Sequence, residues 1–140
     1  MISLVSIYAG GSLTLLMALF HTRFYRLFGW KNDFTKISPL NTRIIYTVHL
    51  ALLLLFFILA ALSIGYAREL SQSTGLSFGL NILISLFWLW RFLWQLFYFK
   101  REKGKKIPPM AIALIVVFLL LAIAYLIPVM HILFPSMRTG

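Results

Sequence analysis

The chain has no cysteine, so it can form no disulfide, present no thiolate nucleophile and build no thiolate metal site. That removes the disulfide-exchanging four-helix enzymes of the membrane from consideration. Acid is almost as scarce: Asp33, Glu69 and Glu102 are the only acidic side chains in 140 residues, and each falls in a different segment between apolar runs. Membrane transferases that use divalent metals need clustered carboxylates, and a Ser/His/Asp set needs an acid beside its histidine. Neither can be assembled within an apolar run of this chain. Proton-coupled exporters usually need a carboxylate inside the membrane, so this absence counts against them too.

What the chain has instead is apolar length. It is 61% hydrophobic and only 11% charged, with a mean hydropathy of +0.93, against roughly 45–50% apolar usage in a soluble domain. Four apolar runs, Ile2 to Phe20, Thr42 to Tyr66, Leu76 to Phe99 and Met110 to Phe134, each approach or exceed the ~20 residues that span a hydrocarbon core. Charge clusters between them. The expectation is an all-α, integral membrane four-helix bundle, a single transmembrane domain over 1–140. Its helices are expected at about 2–23, 40–67, 76–99 and 109–134, with loops at 24–39 and 100–108. The first run has no Lys or Arg before Arg23 and is read as a retained span, not a signal peptide. Ser38-Pro39 and Pro108-Pro109 are start signals for the second and fourth helices.

The formal net charge of +10 flanks apolar runs, which suits anionic headgroups better than nucleic acid. Membrane lipids are the expected partners, with a homo-oligomer or larger membrane complex left open. Arg23, Arg26, Lys31, Lys36 and Arg43 lie in or beside the first loop and Lys100, Arg101, Lys103, Lys105 and Lys106 in the third, whereas the second has Arg68 offset by Glu69. By the positive-inside rule the loops 24–39 and 100–108 are cytoplasmic, in an inner membrane, and both termini are outside. So large an asymmetry argues against dual-topology exporters and fluoride channels. The aromatic-basic stretch from Phe24 to Lys31 reads as an interfacial anchor.

Helical spacing picks out one stripe per span: Ser3, Ile7, Gly10, Thr14, Met17 and His21 on the first; Thr42, Tyr46, His49, Leu53, Phe56, Ala60 and Ser63 on the second; Ser77, Asn81, Ile84, Trp88, Arg91, Gln95 and Tyr98 on the third. Small and hydroxylated members point to packing. Gly75 and Gly79 form a GxxxG at the very end of a span, a weak signal. Arg91 is the costly residue, because a charge at membrane depth needs a partner, a cavity or a route to the interface. Counted from the cytoplasmic boundary it lies about 13 Å deep, His49 about 9 Å and Gln95 about 7 Å. The expected site is therefore a cluster of His49, Arg91 and Gln95, with Tyr46 and His21 at its mouth and Trp88 on the same stripe. Arg91 is read equally as a ligand-holding residue and as a structural one bonded to carbonyls. His131, after the helix-interrupting Pro128, is expected only to be hydrogen-bonded.

The pattern of His21 to Phe24, Gly29-Trp30, Ser38-Pro39-Leu40-Asn41, Tyr46, His49, Phe87-Trp88, Arg91 and Gln95 resembles a family of small bacterial four-helix membrane proteins with no assigned activity. It covers most of the first three helices and not the fourth, which is less polar than the resemblance implies. It marks where to look and supplies no function. From the residues, the leading reading is a binding or accessory protein holding a lipid, quinone or small anion. The alternatives are an anion or proton transporter or channel, and a b-type haem protein using His21 and His49 as axial ligands. The depth estimates set those two histidines several ångströms apart. No metal site, specific cofactor or catalytic residue is assigned.

Overall fold

The computed structural model describes residues 1–98 and 108–134. Four long helices carry the fold: α1 (Ile2–His21), α4 (Pro39–Gly65), α6 (Leu76–Phe97) and α7 (Pro109–Leu133). All four are long and apolar enough to cross a membrane, and no strand occurs among the described residues. Shorter helices join them: α2 (Phe24–Leu27) and α3 (Trp30–Asp33), then a 3₁₀ turn at Phe34–Lys36, between α1 and α4, and α5 (Ala67–Gln72) between α4 and α6. The five basic residues from Lys100 to Lys106 lie outside the described residues.

The exterior of the bundle is apolar. Leu16, Val48, Leu54, Leu83, Leu86, Val116 and Leu120 are among the exposed side chains, while Thr14, Ser63, Ser85 and Asn81 are buried. Water would reject such a surface; a hydrocarbon solvent makes it the expected one. The chain is a small multi-pass membrane protein by these criteria.

The stripes pack as spaced through their inner parts, whereas Tyr98 at the end of the third stripe is exposed. On α1 the buried set includes Ile7, Gly10, Thr14, Met17 and His21, and on α4 it is Phe56, Ala60 and Ser63. Gly10 and Gly11 let α1 approach its neighbours: a Cβ on Gly10 would stand 3.0 Å from the Tyr125 ring, and one on Gly11 would stand 2.9 Å from Ile64 and 3.0 Å from Ser63. Gly75 and Gly79 have nothing within 4 Å of such a Cβ, so the GxxxG is no helix contact here. α1 packs against both α4 and α7, and α6 against α7. On the remaining side α4 and α6 meet through rings, with Phe56 lying 5.3 Å from Trp88 and 6.3 Å from Phe87.

Hydrogen bonds tie the half of the bundle away from the first loop. The Tyr125 hydroxyl lies 2.6 Å from Ser63 Oγ and 3.5 Å from Thr14 Oγ1, joining three helices. Ser85 Oγ donates to the Ala122 carbonyl at 2.8 Å, and Ser3 Oγ pairs with His131 Nδ1 at 2.7 Å. Asn81 Nδ2 donates to the Leu70 carbonyl and to Ser73 Oγ, fastening α5 to α6. One expectation fails at this end: Ser77 Oγ accepts from Thr74 N and donates to the Thr74 carbonyl, bonding back to its own segment rather than to another helix. Ser73 is wholly buried in a left-handed turn (φ +51°).

Candidate ligand-binding site

The opposite end, where Arg23, Arg26, Lys31 and Arg43 gather, is built differently. Ser38 starts α4 with its Oγ accepting from Asn41 N at 3.2 Å, and Pro39 occupies the first turn. At 27 residues α4 runs about 40 Å, some 10 Å more than a hydrocarbon core of ~30 Å. The first loop folds along its early turns. Gly29 (φ +64°) makes the left-handed turn between α2 and α3. That turn brings Phe24 and Trp30 back onto the bundle.

The result is an aromatic nest around two imidazoles. Phe24 stacks on His21 at 4.0 Å and on His49 at 5.7 Å, Trp30 meets His49 edge-on at 5.0 Å, and Phe56 meets His21 edge-on at 4.8 Å. The His21 and His49 ring centres are 6.1 Å apart with planes 18° from parallel. Counting depth from Arg43 separates these residues because it sets Arg43 level with the end of α1, whereas the ring pairing puts His49, ten residues into α4, level with His21, so the first turns of α4 extend past the end of α1. His21 Nδ1 lies 2.8 Å from the Met17 carbonyl oxygen, which fixes the ring. Beside this nest runs an open groove of about 320 Å³, lined by His21, Phe24, Trp30, Ile44, Ile45, Val48, His49 and Leu52. Val48 and Ile44 are themselves exposed on the lipid-facing side, so the groove opens laterally.

Of the expected site residues, His21 and His49 line this groove; Tyr46, Trp88, Arg91 and Gln95 do not. Tyr46 packs instead with Tyr25 (5.9 Å) and Phe34 (5.0 Å) in the loop collar. Trp88 is wholly buried among Phe56, Phe87 and Phe118, and its indole N–H has no partner among the described residues. Arg91 is half-buried, with its guanidinium carbon 4.9 Å from the centre of the Phe118 ring and within electrostatic range of His21. Gln95 is half-buried one turn further along α6.

Within the aromatic-basic segment Phe24 and Trp30 are groove walls, while Tyr25, Leu27 and Phe28 are its exposed large apolar side chains. The signal available for Phe24 was its place three residues after His21, one turn along. Ile44, Ile45, Val48 and Leu52 gave none, since an apolar residue on a membrane helix is expected to face lipid. The described residues contain no group of three or more His, Asp or Glu suited to a metal ion. Compared with protein families, curated proteins and solved structures, the chain matches none.

Proposed function

We propose that this multi-pass protein has a binding or accessory role and holds a membrane-borne amphiphile in the groove beside His21 and His49. One observation carries the reading: the groove is apolar along its length, opens sideways toward lipid, and has two imidazoles and an indole at one end, the makeup of a pocket with a few polar groups in an apolar wall. A prenyl or acyl chain suits Ile44, Val48 and Leu52. A flat or polar head suits the rings. The asymmetry of Lys and Arg supports an inner-membrane orientation with this end cytoplasmic and both termini outside, and the resemblance to small bacterial four-helix membrane proteins points to the same residues.

The test is native mass spectrometry of the full chain released from mild detergent. The wild type is expected to retain a hydrophobic small-molecule adduct. Val48→Trp, which fills the groove from its rim, should abolish the adduct, and Leu119→Trp on the lipid-facing side of α7 should leave it. An adduct unaffected by Val48→Trp, or none in the wild type, overturns the reading. The haem alternative draws on the closeness of His21 and His49, but a macrocycle between them would have to displace Phe24. A Soret band in the purified protein that is lost in His49→Leu would establish it.

A further inference from the structure

Arg91 has no hydrogen-bond or carboxylate partner among the described residues. Asp33 is held by Lys36 at 3.0 Å in the first loop, and Glu69 lies in α5 at the other end of the bundle. A guanidinium in this position could escape by stretching to the headgroups, and the geometry says that it does not. Side chains on a helix lean toward its N-terminus, and α6 runs toward the basic end, so the lean carries Arg91 deeper. Its guanidinium lies over Phe118, nine residues inside the start of α7 at Pro109 and hence about 13 Å deep. A cation held there needs a counter-charge.

The surroundings favour an anion over an internal partner. The ionisable group within electrostatic range of it is His21 on α1, a base, and the ring beside His21 is another base, His49 on α4. Arg23, Arg26, Lys31 and Arg43 crowd the mouth of the same end with no carboxylate partner among the described residues. This is a field that concentrates anions. α4 and α6 meet through the Phe56, Phe87 and Trp88 rings, and Arg91 and Gln95, both half-buried, lie on the basic-end side of that plug.

We propose that Arg91, assisted by Gln95, binds an oxyanion of the phosphate type inside the bundle, at a site separate from the groove. The planar fork of Arg91 donates two parallel hydrogen bonds to such a group. The Gln95 amide supplies a further donor one turn nearer the entrance. The anion is either free phosphate or the headgroup of an anionic lipid inserted between α4 and α6.

The full chain in a nonionic detergent would be melted against inorganic phosphate, against phosphatidylglycerol, and against sodium chloride and diacylglycerol as matched controls. A saturable rise in Tm with phosphate or with phosphatidylglycerol is expected, and the arm that responds names the source. Arg91→Gln should lose that rise. Arg91→Lys, which keeps the charge and the fold, should need at least about tenfold more ligand for the same rise. A wild type that responds to neither, or an Arg91→Lys midpoint equal to wild type, overturns the proposal. So does a Glu102→Gln variant that melts as low as Arg91→Gln with no dependence on phosphate, which would make the partner internal. Val48→Trp should leave the rise intact, so this site and the groove fail or succeed separately.

Discussion

Replacing Tyr125 with Phe removes one oxygen atom from the centre of the bundle and nothing else. That hydroxyl is the hub between α1, α4 and α7, 2.6 Å from Ser63 Oγ and 3.5 Å from Thr14 Oγ1, and all three residues are buried. Thr14 keeps a second partner, since its Oγ1 already donates to the Gly10 carbonyl at 2.8 Å. Ser63 has no other side-chain bond among the described residues, so its hydroxyl takes most of the loss. Interhelical hydrogen bonds in membranes average about 0.6 kcal/mol and reach about 1.7. The short Ser63 contact puts this one in the upper part of that range, and Tyr125→Phe should cost about 1–1.7 kcal/mol. The assay is equilibrium unfolding in mixed micelles of the wild type, Tyr125→Phe, Ser63→Ala and the double variant. A coupling energy near 1 kcal/mol between the two sites is expected. Additive single effects, or a Tyr125→Phe variant as stable as wild type, would show that the three-helix hub does not hold the bundle.

The two glycine pairs should behave oppositely. Gly11→Ala forces a Cβ to within 2.9 Å of Ile64 and 3.0 Å of Ser63, and should lower stability by about 1–3 kcal/mol as overpacking does; Gly79→Ala meets nothing and should be neutral or stabilising by up to about 1 kcal/mol. Equal effects in thermal melts would put the α1–α4 contact elsewhere. For topology, Lys36→Cys on this cysteine-free background should label only from the cytoplasm and Thr74→Cys, at an exposed position beside buried Ser73, only from outside. Labelling of Lys36→Cys in intact cells by an impermeant reagent would reverse the orientation.

The interior of the bundle was legible because membrane helices carry their polar and small residues on the face that avoids lipid. Thr14, His21, Ser63 and Asn81 stood on stripes of helical period, and all are buried. Gly11 and Ser85 were missed because each sits one position off the strict stripe, on a face wide enough to bury both. The groove was not legible. It is made by a loop that turns at Gly29 and folds back along α4, and such non-local docking leaves no periodicity in the residues that line it. Similar depth is the ground for grouping His49, Arg91 and Gln95; depth is one coordinate of three, and the ring contacts add that His49 meets Phe24 and Trp30 while the Arg91 guanidinium lies over Phe118.

The two halves of the molecule are held by different forces, and that division bears on function. Ser63, Tyr125, Thr14 and Asn81 each lie two helical turns from Phe56, Phe118, His21 and Trp88, so a layer of hydrogen bonds stands above a layer of rings. The bonds between Ser85 and Ala122 and between Ser3 and His131 lie on the same upper side. Hydrogen bonds in an apolar medium fix geometry and occupy the hydroxyls of that layer, with Asn81 Oδ1 left as its buried oxygen without a partner among the described residues. Ring contacts fill space without consuming donors, so His49, Arg91 and Gln95 keep theirs. A bundle tied at one end and packed by rings at the other can admit a ligand at the second end without breaking the bonds that hold the first.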